Sequence, residues 1–294
     1  MKKTSVLLVL SLLLTLFSGC APVEAAQISA TTAPVWEFTT RLCQGTPLTV
    51  SRLVTESVSC LHDYSLSVRQ MKMVEQAELV IISGAGLEEF MEDILVDKTT
   101  VDCSADISLL EMGSGHHHEE ASHDHDHHHE HDPHIWLSPA NASVMAENIC
   151  AGLTAQYPEY ETVFAKNLSL LQKDLKSLQT YGEFALSELS CRELITFHDG
   201  FGYLADAFDL HILEAIEEES GSEASAQELI ELIEEVEHHK LPAIFTEING
   251  SPAAASVICA ETGIGSFPLD MAMAGDSYFD AMYHNIDTLK EALQ

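Results

Sequence analysis

Basic side chains are scarce in this chain: 13 Lys and Arg stand against 47 Asp and Glu, for a formal charge of −34. Such a surface repels nucleic acid and anionic head groups and gathers cations, so nucleic-acid binding is excluded. Paired cysteine motifs are also missing. None of the seven cysteines forms a CxxC, which removes a thiolate zinc site and a redox dithiol. Cys43, Cys60, Cys103, Cys150, Cys191 and Cys259 are read instead as small buried side chains. Export would permit disulfides, but the sequence selects no pairing. After residue 17, no apolar run approaches the roughly 20 residues of a membrane-spanning helix.

What is abundant is histidine, and much of it is in one place. Residues 116–131 read HHHEEASHDHDHHHEH, in which His116, His117, His118, His123, His125, His127, His128, His129 and His131 alternate with acids. The tract has nothing with which to build a core, but it carries the donors that borderline divalent metals prefer. Zinc is therefore the first ligand to consider. At the N-terminus, Lys2 and Lys3 precede an apolar run over 6–17 and then Ser18, Gly19 and Cys20. This reads as a secretory signal. Small residues directly before a cysteine resemble a lipobox, which predicts cleavage after 19 and lipidation at Cys20. The alternative is an ordinary signal peptide cut near Ala25, with Cys20 lost.

Hydrophobic periodicity predicts an α/β fold of two lobes with mostly parallel sheets. Strands are expected at 27–32, 48–54, 79–82 and near 101, with helices after 34, over 67–77 and over 87–95. The His/acid tract is a loop insertion, and Ser138 and Pro139 restart a helix as N-cap and first turn. Over 158–189, Phe164, Leu168, Leu171, Leu175, Leu178 and Ala185 recur at helical spacing. They predict one helix of about 30 residues, near 45 Å long, running along both lobes. The N-terminal lobe is assigned to 20–157 and the C-terminal lobe to 190–294. The latter has strands at 192–197, 211–216, 243–246 and up to 270, and a last helix over 278–293.

In open α/β sheets, ligands lie beyond the carboxyl ends of the strands. Four donors fall there or on adjoining loops: His62, His134, His198 and Asp270. Two come from each lobe, and three imidazoles with one carboxylate fill a tetrahedral zinc shell. Singly, each has a structural reading, as a hydrogen-bonded histidine or, for Asp270, a helix cap.

Together these segments carry a resemblance. CLHDY at 60–64, DPHIWLSP at 132–139, FHDGFGYL at 197–204 and Leu269–Asp270 resemble, in order and spacing, the metal-site segments of the zinc/manganese solute-binding proteins of ABC transporters. The resemblance spans essentially the whole mature chain. It implies two α/β lobes joined by a long rigid helix, a metal in the cleft between them, and the ligand set His62, His134, His198 and Asp270. It also implies Zn2+ as transported cargo, an ABC permease as partner, and no enzymatic reaction. The expected state is a monomer outside the cytoplasm, anchored to the outer face of the cytoplasmic membrane through Cys20, or periplasmic without the lipid. Manganese-selective members generally carry a carboxylate where this chain has His198, and an imidazole there favours zinc. Asp63, Asp199 and Glu247 are candidates to accept from imidazole nitrogens turned away from the metal. Trp136 is read as a wall beside His134. His211, His238, His239 and His284 match no metal segment.

The alternatives are a manganese or iron receptor on the same fold, a zinc hydrolase, and zinc storage by the tract alone. A hydrolytic zinc keeps a position open for water, which four protein donors would fill. Capture is expected to weaken as pH falls through about 6, because an imidazole must be neutral to ligate. The tract is read as weak, fast-exchanging capture near the cleft. Deleting 116–131 is expected to leave one tight zinc site in calorimetry while lowering the stoichiometry under excess zinc; loss of the tight site would overturn that reading.

Overall fold

In a computed structural model, the chain is described over residues 26–56, 61, 64–111, 131–216 and 225–294. The first lobe opens with strand β1 (Ile28–Ala30), wholly buried, and helix α1 (Ala33–Leu42), which has Pro34 in its first turn. Strand β2 (Val50–Arg52) follows. Helix α2 (Val68–Gln76) begins at a capping box in which Ser67 and Gln70 satisfy each other's backbone N–H. Strand β3 (Leu79–Ile82), a 3-10 turn (Glu89–Met91), a short helix α3 (Glu92–Leu95) and strand β4 (Thr100–Asp102) complete the sheet. Its order is β2-β1-β3-β4, all parallel. The 87–95 stretch, expected as one helix, is thus split into a 3-10 turn and a single α turn.

After the insertion, a 3-10 turn (Ile135–Leu137) leads into α4 (Pro139–Gln156), whose N-cap Ser138 accepts from Asn141 N. A second 3-10 turn (Pro158–Tyr160) precedes α5 (Glu161–Ala185). The long helix is therefore 25 residues, about 37 Å at 1.5 Å per residue, rather than 30. Its start is displaced by the turn at Pro158. Its end is taken by Arg192, which donates to the carbonyls of Leu186, Phe208 and Asp209 at 2.9, 3.1 and 3.0 Å.

The second lobe repeats the first. Strand β5 (Glu193–Thr196), α6 (Gly202–Ala207), β6 (His211–Ala215), α7 (Ala226–His239), β7 (Ala243–Glu247), α8 (Ala253–Thr262) and β8 (Gly265–Leu269) build a parallel sheet of order β6-β5-β7-β8. Pro268 is tolerated in β8 because that strand is an edge. Helix α9 (Tyr278–Leu293) closes the chain. In both sheets the strand order reverses between the two central strands, which is where a crevice opens at the carboxyl ends.

A single apolar cluster joins the lobes. It runs from Ile28 and Phe38 through Phe164, Leu171 and Leu175 of α5 to Phe245 and Leu289. Polar groups stitch the same seam. The Trp136 indole donates to Met271 O at 2.7 Å, and the Tyr278 hydroxyl donates to Trp136 O at 2.8 Å. Ala33 N donates to Met273 O at 3.2 Å, and the Arg52 guanidinium donates to Gly275 O at 2.6 Å. Residues 271–278 of the second lobe are thus held by the first at several points. Among the described residues, no helix is long and apolar enough to cross a membrane.

The carboxyl edge of the first sheet is tied by one buried acid. Glu88 accepts from Thr31 Oγ1 at 2.6 Å, Ser83 N at 2.7 Å and Gly84 N at 3.0 Å, joining the ends of β1 and β3. Burial raises its carboxyl from 4.5 to about 7, with those three donors pulling it down and Asp102 pushing it up. The folded value exceeds the unfolded one, so this group's contribution is fully present below about 4.5 and is lost as pH rises through about 7. Urea unfolding of the wild type relative to Glu88→Gln is therefore expected to lose on the order of 3 kcal/mol across that window. A difference that does not vary with pH would show that Glu88 does not titrate there.

Candidate metal centre

The site begins with an aspartate two residues before a histidine. Asp132 Oδ1 accepts both the backbone N–H and Nδ1 of His134, each at 2.8 Å. A carboxylate has no hydrogen to give, so Nδ1 carries the proton and Nε2 presents its lone pair. His134 is fully buried, and among the described residues its Nε2 has no hydrogen-bond partner. An imidazole nitrogen buried that way is costly unless something binds it. Asp132 is itself held, because the Tyr203 hydroxyl donates to its carbonyl at 3.1 Å and Leu110 N donates to that hydroxyl at 2.9 Å.

The second histidine comes from the crevice of the second sheet. His198 follows β5, and its Nδ1 lies 3.2 Å from Oε1 of Glu247, the buried last residue of β7. These are the two central strands between which the order reverses. The rings of His134 and His198 stand 5.1 Å apart at 83°. Two imidazoles on one tetrahedral zinc, each nitrogen about 2.0–2.1 Å from the ion, would place their ring centres about 5 Å apart. Gly200 lets them meet. A Cβ there would lie 2.6 Å from His198 Cδ2, 2.7 Å from Met271 Cε and 2.8 Å from His134 Nδ1.

Asp270 directly follows β8 and is partly buried. Asn285 clamps its backbone, accepting from Asp270 N and donating to Asp270 O at 2.7 Å each. One carboxylate oxygen accepts from Ala272 N at 2.8 Å, in a turn where Ala272 has a φ of 56°. Asp270 shares a small cleft with Glu247, Asn249, Met271 and Met273. Among the described residues, no three His, Cys, Asp or Glu side chains gather closely enough to hold an ion. His62 and Asp63 lie outside the described residues, as do Cys20, Cys60 and the tract from His116 to His129. His131 is described, and it forms an antiparallel bridge with Glu111 at the base of the insertion.

Of the carboxylates expected to support imidazoles, Glu247 meets His198. Asp199 is partly buried, and the partner of His134 is Asp132 rather than Asp199. Asp132 was legible as the first letter of DPH, since an Asp accepts readily from the backbone two residues on. Trp136 is fully buried, edge-on to His134 at 5.4 Å. Elsewhere, His239 lies between Glu193 and Glu235 at 3.0 and 3.3 Å, with His238 packed against it. His284 contacts Pro268 O at 3.2 Å, and His211 is exposed at the start of β6. The described cysteines are all free. Cys43, Cys103 and Cys150 are buried, while Cys191 and Cys259 are partly exposed. Burial pushes the Cys43 thiol up to about 12 and raises Cys103 and Cys150.

Comparison with known proteins follows this geometry. Residues 28–292 match the family model described as zinc-uptake complex component A, periplasmic (ZnuA). The zinc-binding lipoprotein AdcA of Streptococcus pneumoniae is 31% identical over 319 aligned residues, covering 99% of this chain and 61% of that protein. The chain thus spans about three fifths of the length of that relative. Among solved structures, a crystal structure of ZnuA superposes with a TM-score of 0.78 at 26% identity, covering 92% of this chain and all of that one. The Zn(II)-bound AdcA of Streptococcus pneumoniae superposes with a TM-score of 0.77 at 28% identity, over 92% of this chain and 58% of that one.

If Asp132 fixes the tautomer of His134, Asp132→Ala is expected to weaken zinc binding about 10- to 100-fold while the thermal midpoint stays within a few degrees. Gly200→Ala should weaken it through contact with both rings. Calorimetry giving wild-type affinity for both variants would refute this account of the site.

Proposed function

The chain belongs to the family described as zinc-uptake complex component A, and on that premise we propose that it is an extracytoplasmic receptor that captures Zn2+ and delivers it to an ABC permease. The observation that carries this reading is the buried His134 Nε2, without a partner among the described residues, in a ring fixed by Asp132 5.1 Å from that of His198. An imidazole pair suits zinc better than it suits manganese. We assign the tight site to His62, His134, His198 and Asp270, with Glu247 and Asp132 orienting two of the imidazoles. Zinc is cargo here, and the family is one of receptors rather than enzymes.

Capture follows from the donors. Ligands held in position before the ion arrives lose little freedom on binding, which favours affinity. The histidine tract supplies weak accessory sites through His116, His117, His118, His123, His125, His127, His128, His129 and His131. Lipidation of Cys20 holds the receptor, as a monomer, at the outer face of the cytoplasmic membrane. The lobes are assigned to 20–157 and 190–294, with 158–189 as the link. The acidic surface, at −34, raises the local concentration of divalent cations.

Elemental analysis of the purified chain, with zinc and manganese competing in calorimetry, tests the proposal. One tight equivalent of zinc that manganese does not displace is expected. His134→Ala should abolish tight binding, and His198→Asp should shift preference toward manganese by at least tenfold. Tight manganese retained by the wild type, or tight zinc retained by His134→Ala, would overturn it.

A further inference from the structure

The outward face of α5 differs from the rest of this acidic surface. Lys166, Leu170, Lys173, Ser177, Tyr181 and Phe184 follow one another at three- and four-residue spacings along it, flanked by Lys176 and Thr180. No acid of α5 itself interrupts that face, and Asp287 of α9 reaches it only as the acceptor of the Tyr181 hydroxyl at 2.5 Å. At its borders, Asp174 is paired with Arg41, and Glu183 accepts from Gln179 at 3.0 Å. Among the described residues, none of the three lysines has an ion-pair partner. Phe184 is 80% exposed, Leu170 54% and Tyr181 37%. Lys173, Lys176, Tyr181 and Phe184 line a single shallow groove. The opposite face, with Phe164, Leu171, Leu175 and Leu178, is buried in the core.

Lysines interleaved with exposed aromatic and aliphatic side chains on one helix face suit the boundary between anionic head groups and acyl chains. The chain path puts that face within reach of a bilayer. Gln27 O accepts from Glu78 N at 2.8 Å, and Glu78 accepts from the hydroxyl of Tyr157, just ahead of the turn that starts α5, at 3.1 Å. The chain therefore enters the fold beside the N-terminal end of α5. Only residues 21–25 lie between Cys20 and Ala26, a reach of at most about 20 Å. We propose that the outward face of α5 is a docking surface for an anionic lipid bilayer. Its proximity to membrane rests on the reading of Cys20 as acylated; its charge and apolar content do not. Repulsion from acids farther than about 8 Å is screened, and the nearer ones are engaged, Asp174 by Arg41 and Asp287 by the Tyr181 hydroxyl. A two-fold pairing of this face with itself would set lysine against lysine, which disfavours a second copy as occupant.

Sedimentation of the mature chain carrying Cys20→Ser with phosphatidylglycerol or phosphatidylcholine vesicles, with chelator present, tests the proposal. Binding to the anionic vesicles alone is expected. It should weaken at least tenfold with Lys173→Glu/Lys176→Glu or with raised salt, and it should weaken with Phe184→Ser. Lys72→Glu/Lys98→Glu, in the first lobe away from α5, should leave it unchanged, with circular dichroism as the check that each variant is folded. No binding, equal binding to both vesicles, or binding insensitive to the α5 lysines would overturn the proposal. So would a dimer in sedimentation equilibrium that Phe184→Ser dissolves, which would give the face to a second copy. Mass spectrometry of the native chain reads Cys20 acylation separately, so failure of the anchor leaves the vesicle result standing.

Discussion

The structure turns on one fully buried indole. Trp136 has no contact with water, yet it carries an N–H and a carbonyl that must be satisfied. The N–H is satisfied by Met271 O and the carbonyl by the hydroxyl of Tyr278, both in the second lobe. Leaving either unsatisfied would cost about 1–3 kcal/mol, so the lobes are held in register at this point. His134 lies two residues before Trp136 and Asp270 one residue before Met271. The same bonds that close the seam therefore set the spacing across the cleft. The continuous apolar cluster through α5 adds rigidity that a flexible linker would lack.

Around that seam, each described histidine at the cleft has one nitrogen committed to a carboxylate. Asp132 takes His134, and Glu247 takes His198. Such pairing fixes the tautomer and the orientation of each ring. It also has a steric requirement. The rings come together only because residue 200 has no side chain, and the nearest atoms around it leave no room for one.

Much of the fold was legible because its signals are local. The run LVII is strand β3 as expected, and Ser138 with Pro139 starts α4. The shorter extent of α5 was not legible. The periodicity continues past Ala185, but Arg192 caps the chain at Leu186 through a contact that only the folded second lobe provides. The split at 89–95 was missed because its apolar spacing fits a helix, whereas the Glu88 carboxylate draws the preceding turn inward. In the site, the DPHIW and FHDG segments marked His134 and His198 by motif. The part of Asp132 is written in DPH, but only the fold shows its carboxylate turning back onto both the backbone N–H and the ring of His134. Gly200 stands in FHDG beside His198, but its role depends on the ring of His134 and on Met271, which only the fold brings to it.

The bridge between Glu111 and His131, with Asp132 N donating to Leu110 O at 2.8 Å, brings the two ends of the insertion side by side. A segment whose ends already meet is decoupled from the architecture that bears it. Doubling its length adds only about 0.6 kcal/mol of closure entropy. The histidine tract can thus be lengthened, shortened or recomposed while the lobes and the geometry of His134 stay as they are.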